Sequence, residues 1–200
     1  MKRLTNFIEK NTSGKKVLGL FILTNVVYLF MLTVTIPKTM EFTNGMKLLD
    51  MIPSGYDFNY VSELFSSLGE NGRETYLTRQ IPMDMIYPLL FGLSYCLLLG
   101  YFLKKLNKLH IPYLYLCILP LIAGISDYFE NTGIIIMLNH YPDLTETMVN
   151  TSHTFTILKS ISTTVFFIAL IIILILLGLK FLKSNKKSVF FKVILRYYLC

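Results

Sequence analysis

Three polar residues stand close together inside a long apolar stretch of the chain. Asp127 is followed by Glu130 three residues later and by Asn131 four residues later. Residues three and four apart share a face of an α-helix, so this spacing predicts that the three side chains project from one side of one helix. An ionisable side chain in the hydrocarbon of a bilayer is costly unless it is paired, solvated or functional. We therefore expect this face to point into the protein interior.

Two other apolar runs carry polar residues at the same predicted depth. In one run, Asp84 and Tyr87 lie in the first turns, and Pro88 follows them directly. In another run, Lys159 lies about one turn inside the apolar segment, with His153 just before it. We expect these side chains to meet near one face of the membrane. The candidate ligand-binding residues are Asp84, Tyr87, Tyr95, Asp127, Glu130, Asn131, His153 and Lys159.

The charges of this set do not balance. Lys159 faces two acids of the third run, Asp127 and Glu130, and the surplus acid must be protonated, solvated or bound to a cation. One interpretation is structural: Lys159 pairs with either acid, Asp84 pairs with Arg79, and the set fixes helix packing. The other interpretation is a water-accessible pocket that opens to the extracytoplasmic side.

Cysteine and histidine spacing does not predict a metal site. Cys96, Cys117 and Cys200 form no C-x-x-C pair and no Cys/His pattern typical of zinc, and no disulfide is expected. His110 and His140 are interpreted as solvated or capping residues. Whether a cofactor is bound stays open at this point.

The elements that must position these residues are transmembrane helices. Apolar residues make up 54% of the 200 residues and charged residues only 16%, which is typical of a membrane protein. Four runs reach the roughly 20 residues that a helix needs to cross a bilayer, namely residues 17–36, 81–103, 111–138 and 155–182. Pro37 is expected to close the first run, and Pro112 to lie in the first turn of the third. The predicted fold is an all-α bundle of four transmembrane helices in a single domain, residues 1–200.

The segments between and after the runs have patterns of their own. Residues 37–80 form the only large loop, in which Asn59–Leu68 has the pattern of an amphipathic helix and Gly69 that of its C-cap. We expect this helix on the mouth of the bundle or on the membrane surface, and residues 72–80 as a helical extension of the second run. In the tail, residues 183–200, a segment over 189–200 is either an interfacial helix or frayed.

The distribution of positive charge predicts the orientation. Fourteen of the nineteen Lys and Arg residues lie before the first run, between the second and third, or from the end of the fourth onward. Positive flanks stay on the cytoplasmic side, so both termini are expected in the cytoplasm. The net charge of +7 is thus interpreted as a topology signal and not as a nucleic-acid surface. Abundant Lys, Ile and Asn indicate an AT-rich bacterial genome and hence a plasma membrane, the bacterial cytoplasmic membrane.

Three functional hypotheses follow, with the lipid bilayer as the expected partner and the oligomeric state open. The first is an acidic intramembrane pocket that binds a cation, an amine or a lipid headgroup. The second is a membrane-embedded acid/base enzyme for a lipid or isoprenoid, with Asp127, Glu130 and Lys159 as candidate catalytic residues. In general architecture alone, and without a shared motif, such a chain is similar to the emopamil-binding type of sterol enzymes. The third is an accessory subunit of a membrane complex.

Overall fold

The fold is described here from a computed structural model, which covers the backbone of residues 2–198 and the side chains of residue 3 and residues 5–183. Within residues 2–198 the regular secondary structure is helical throughout. Its α-helices are α1 (Lys2–Asn11), α2 (Gly14–Phe30), α3 (Ile36–Met40), α4 (Phe58–Thr75), α5 (Ile81–Lys105), α6 (Leu119–His140) and α7 (Glu146–Tyr198). Short 3-10 helices occupy Leu49–Met51 and Tyr113–Cys117, and π-helical turns occupy Met31–Thr35 and Tyr76–Gln80.

Four helical segments are long and apolar enough to cross a membrane. They are Gly14–Met40, Phe58–Lys105, Tyr113–His140 and Glu146–Lys183. The prediction of an all-helical chain with four such segments is therefore confirmed. The first, second and fourth segments extend beyond the predicted runs at both ends, and the third begins two residues later and ends two residues later than predicted. The predicted interfacial helix at 189–200 depends on side chains that lie outside the described residues.

Two predicted helix ends are wrong, and both involve proline. Pro37 does not close the first segment, because the π-helical turn Met31–Thr35 precedes it and places it in the first turn of α3. The missing N–H of proline is tolerated in a first turn. Pro112 likewise does not start the third α-helix: it caps the 3-10 helix Tyr113–Cys117, and α6 begins at Leu119 with Pro120 in its first turn.

The helix predicted in the large loop is present and ends as expected. The Asp57 carboxylate accepts a hydrogen bond from the Tyr60 N–H at 2.8 Å and so caps the start of α4. Gly69 interrupts the helical backbone with φ of 60°, a left-handed value that favours glycine. The helical extension predicted for residues 72–80 is present, because the end of α4 continues through the π-helical turn into α5. The apolar side chains of Leu64, Phe65 and Leu68 are buried.

Apolar side chains are buried in two clusters at opposite ends of the bundle. The first lies at what we call the capped end, where the loop 41–57 and the first part of α4 cover α5, α6 and α7. Leu49, Phe65 and Ile134 are fully buried there. The second lies at the basal end, where Ile8 of α1 packs against Gly100 of α5. The acidic residues lie between the two clusters.

The helices pack in an order that leaves one gap. α6 packs along both α5 and α7, and α2 packs along α5, but none of the first segment packs extensively on α7. Glycines permit the close contacts of α6: a Cβ on Gly124 would lie 2.6 Å from the Pro88 carbonyl oxygen, and one on Gly133 would lie 2.7 Å from the Ser152 Cβ. The α2–α7 gap, bordered by Tyr28 and Leu32 on one side and Thr164 on the other, therefore opens sideways.

Candidate functional site: an acidic chamber

A cavity of about 450 Å³ lies between the four long helices, beneath the segment 50–53 of the loop. We call it the acidic chamber. Four helices and the loop contribute to its wall, so no single stretch of sequence encodes it. Its lining residues are Tyr28, Met31, Leu32, Ile36, Asp50, Met51, Pro53, Asp84, Tyr87, Phe91, Ala123, Asp127, Thr156, Lys159, Ser160, Thr163 and Thr164.

Lys159 of α7 lies between two acids of α6. Its Nζ is 3.1 Å from Asp127 Oδ1 and forms a second ion pair with Glu130 Oε2. Asp127 is 7% exposed and Glu130 is fully buried, so both pairs are largely shielded from solvent. The spacing of the two acids on one helical face thus brings them to the same lysine.

On the side of this cluster toward the α6–α7 contact, here the closed side, Glu130 is held by its ion pair with Lys159 and by hydrogen bonds. Thr156 donates to Glu130 Oε1 at 2.8 Å, and Ser152 donates to the Glu130 carbonyl oxygen at 3.2 Å. The Tyr56 hydroxyl, from the loop, bonds to Ser152 Oγ at 2.7 Å. Burial, together with the nearby Glu130 carboxyl, raises the pKa of Tyr56 from 10.0 to about 12. Glu130 does not reach the chamber wall.

The side toward the chamber, here the open side, contains a carboxylate oxygen without a hydrogen-bond partner. Asp84 of α5 lines the chamber and is only 4% exposed, yet its Oδ2 has no hydrogen-bond partner among the described residues. Asn131 donates to the Asp84 carbonyl oxygen at 3.1 Å and so fixes the backbone, not the carboxylate. A buried carboxylate without a partner is expensive, so its presence requires an explanation.

A further acid completes the open side, and sequence reasoning missed it. Asp50, on the loop above the chamber, accepts hydrogen bonds from the Tyr76 hydroxyl at 2.6 Å and from Gln80 Nε2 at 3.0 Å. Gln80 Oε1 in turn accepts from Thr35 at 2.5 Å. Tyr76 and Gln80 lie four residues apart just before the second apolar run. This spacing predicts that their side chains share one face of a helix. Nothing in the loop sequence indicates that Asp50 folds back onto them.

Aromatic rings form one wall of the chamber and its floor. Tyr28 and Tyr87 stack with ring centroids 5.3 Å apart, and Phe91 is 5.8 Å from Tyr87. Below them Tyr95 lies 4.7 Å from Phe91 and 5.7 Å from Phe166. Tyr95, predicted as a binding residue, therefore belongs to the aromatic floor and does not line the chamber.

Other predicted residues also lie outside the chamber. His153 accepts a hydrogen bond from the Tyr56 N–H at 3.1 Å and holds the loop against α7. Arg79 is exposed and forms no ion pair with the buried Asp84. His110 and His140 are exposed, and each lies 2.8 Å from a backbone oxygen. Of the eight predicted residues the chamber wall includes Asp84, Tyr87, Asp127 and Lys159.

The chemistry of the chamber is that of an anionic, partly aromatic wall. Asp50, Asp84 and Asp127 line it, Glu130 lies behind it, and Lys159 is the cationic side chain among its lining residues. In the described part of the chain, no three His, Cys, Asp or Glu side chains converge closely enough to hold a metal ion together. The carboxylates are spread around the wall, which suits an organic cation better than a coordinated ion.

In comparisons with known proteins, the chain matches no protein-family model, no curated protein and no solved structure.

Proposed function

We propose that this membrane protein binds a cationic ligand, an amine or an organic ammonium ion, in the acidic chamber. The observation that carries the proposal is the Asp84 carboxylate, which lines the chamber, is buried, and has an oxygen without a hydrogen-bond partner. A ligand N–H or ammonium group placed beside it would supply the missing partner and offset its desolvation.

The balance of charge supports a cation. Lys159 is already paired with both Asp127 and Glu130, so it has little capacity to neutralise another group. Asp84 has no ion pair in the described part of the chain, and Asp50 receives only neutral donors. Four carboxylates around one lysine, in surroundings of low dielectric, attract a positive charge.

The aromatic wall supports an organic cation. Tyr28, Tyr87 and Phe91 present rings to the same chamber as the acids. A positive charge over an aromatic face gains about 0.5–2 kcal/mol. Carboxylates combined with aromatic rings therefore favour an amine or ammonium group over a strongly hydrated metal cation.

The binding hypothesis has a better basis than the enzymatic one. Of the three candidate catalytic residues, Glu130 is fully buried and lies behind the chamber wall, whereas Asp127 and Lys159 line the chamber but are paired with each other. A general acid or base must reach the reacting atom of the substrate directly or through one water. We further propose the orientation given by the positive flanks, with both termini in the cytoplasm, the capped end outside and the host membrane a bacterial plasma membrane.

The test is ligand-dependent thermal stabilisation in a non-ionic detergent, with benzylamine as the probe and benzyl alcohol as its neutral match. We expect benzylamine to raise the melting temperature of the wild type in a concentration-dependent way, and benzyl alcohol to leave it unchanged. Asp84→Asn should abolish the shift. Asp143→Asn, which changes an exposed acid away from the chamber, should preserve it. Absence of any benzylamine shift in the wild type, or a full shift in Asp84→Asn, contradicts the proposal.

A further inference from the structure

We infer that the ligand is an amphipathic amine that enters from the lipid through the α2–α7 gap, with its ammonium group in the acidic chamber and its apolar body in the gap. This inference rests on the proposed function. It adds the route and the chemical class of the ligand.

The chamber is closed toward the capped end. Asp50, Met51 and Pro53 lie over it, and Asp50 is held by the Tyr76 hydroxyl and the Gln80 amide. The next residues of the loop are fixed to α7, because the His153 ring packs against Gly55 and accepts the Tyr56 N–H. A ligand arriving from this end would have to break these contacts.

The chamber is also closed toward the basal end. The rings of Phe91, Tyr95, Phe166 and Phe167 lie edge to face or tilted, with centroids 4.7–6.5 Å apart. Phe166 is fully buried in this layer. A hydrocarbon tail therefore cannot extend downward through the bundle.

The α2–α7 gap is the remaining way out. Tyr28 and Leu32 line the chamber and are still 42% and 41% exposed, and Thr164 on the opposite side is also exposed. These residues lie within helical segments apolar enough to cross a membrane, so the surface they expose faces acyl chains when those segments are inserted. A molecule in the lipid thus meets an apolar entrance that leads to buried carboxylates.

The same wall selects against phospholipids. A phosphate group is bound most strongly by a cationic side chain, yet the lysine in the wall is held by Asp127 and Glu130. The neighbouring carboxylates of Asp50 and Asp84 would repel the phosphate. An amine attached directly to an apolar body carries no such group, and a chamber of about 450 Å³ is of the size that small-molecule sites have.

The experiment compares butylamine, dodecylamine and dodecylphosphocholine by thermal stabilisation of the full chain in a non-ionic detergent. We expect dodecylamine to act at a concentration about tenfold or more below that of butylamine, because its additional methylenes are buried in the gap. Dodecylphosphocholine should give no shift. Asp84→Asn should abolish the response to both amines.

A bulky side chain in the gap tests the route. Thr164→Trp should weaken the response to dodecylamine by about tenfold, the loss of most of the tail's contribution, and should weaken the response to butylamine clearly less, because butylamine has only a short tail to place in the gap. Ile161→Trp is the control, because Ile161 is exposed on the same helix but does not line the chamber. Equal melting temperatures of the two unliganded variants show that any difference is not a folding defect.

The outcomes separate this inference from the proposed function. If both amines bind through Asp84 with equal strength, or if Thr164→Trp affects them equally, the lipid route is wrong while cation binding stands. A shift by dodecylphosphocholine as large as that by dodecylamine overturns the amine class. If neither amine shifts the wild type, the proposed function fails, and this inference fails with it.

Discussion

The closed and open sides of the acidic cluster contain the same type of residue in opposite situations. On the closed side, Glu130 is paired with Lys159 and bonded to Thr156. On the open side, Asp84 is nearly as buried, but its Oδ2 lacks a partner. The closed side faces the tight α6–α7 contact and the open side faces a cavity next to the α2–α7 gap. Packing density therefore distinguishes an acid that is paired and hydrogen-bonded from one that faces a cavity.

The largest expected effect comes from removing the charge that both sides share. Lys159→Met leaves Asp127 and Glu130 buried without a counter-charge, so we expect it to lower the free energy of unfolding by about 3–5 kcal/mol. Unfolding by SDS titration in mixed micelles measures this change. Lys183→Met, at an exposed position of the same helix, is the control and should have little effect.

A compensating variant sharpens that result. Adding Asp127→Asn and Glu130→Gln to Lys159→Met removes the uncompensated charges and should restore part of the lost stability. If Lys159→Met alone is as stable as the wild type, the ion pairs do not stabilise the bundle and the closed side has no structural role.

The second effect is a pH dependence that belongs to the closed side. Tyrosine in the unfolded chain ionises near its ordinary pKa of 10.0, whereas burial and the nearby Glu130 raise the pKa of Tyr56 to about 12 in the folded protein. The unfolded state therefore loses its proton first. Stability present below pH 10 should be lost as the pH rises toward 12, by up to about 2–3 kcal/mol. Unfolding measured between pH 9 and 12 tests this expectation.

Two phenylalanine variants isolate the contribution of Tyr56. Tyr56→Phe should be less stable than the wild type at neutral pH by about 1 kcal/mol, since it removes the bond to Ser152, and it should have a flatter pH profile. Tyr115→Phe, at an exposed tyrosine, should keep the profile of the wild type. Identical profiles for Tyr56→Phe and the wild type would contradict the assignment.

A third, smaller effect on stability is expected at the close contact between α6 and α7 that borders the closed side. A Cβ on Gly133 would lie 2.7 Å from both Cβ and Oγ of Ser152, so Gly133→Ala should push α6 and α7 apart and cost about 1–3 kcal/mol. Gly178→Ala is the matched control on α7, because a Cβ at this position would have no neighbouring atom within 4 Å. We expect it to stabilise the protein by up to about 1 kcal/mol. Thermal unfolding of both variants measures these changes. An equal change in melting temperature for the two variants would mean that the α6–α7 contact is not tight.

The smallest effect on stability is expected on the open side. Asp84→Asn removes a charge that has no ion pair in the described part of the chain, so we expect the free energy of unfolding to stay within about 1 kcal/mol of the wild type or to rise. Its effect should appear only in ligand binding. A loss of stability as large as that of Lys159→Met would show that Asp84 is a structural residue and would remove the difference between the two sides.

Much of the fold could be predicted from residue patterns. Four apolar runs, the capped helix before Gly69 and the helical approach to the second run depend on local composition and periodicity, which a single segment carries. The predicted roles of Pro37 and Pro112 are wrong. A proline in a first turn and a proline at a helix end look alike in sequence, and a π-helical turn has no clear signature.

The candidate site was only partly predictable. The spacing of Asp127 and Glu130 sets both on one face, and Lys159, the lysine of the fourth segment that lies at their depth, is their partner. Asp50 was missed because its position depends on a loop that folds back over the bundle. The sequence predicts His153 and Tyr95 in the pocket because depth along a helix can be counted from sequence. Rotation about the helix axis relative to a cavity cannot be counted in this way, and neither residue lines the chamber.

The sequence by itself determined that four helices are apolar enough for a membrane and that carboxylates and a lysine lie among them, because length, hydropathy and helical periodicity are local properties. The tertiary structure alone decided which carboxylate is paired with a lysine and which is left facing a cavity. That distinction depends on how closely helices approach one another, and the approach of α6 to α7 and the separation of α2 from α7 are set by contacts between residues far apart in the chain.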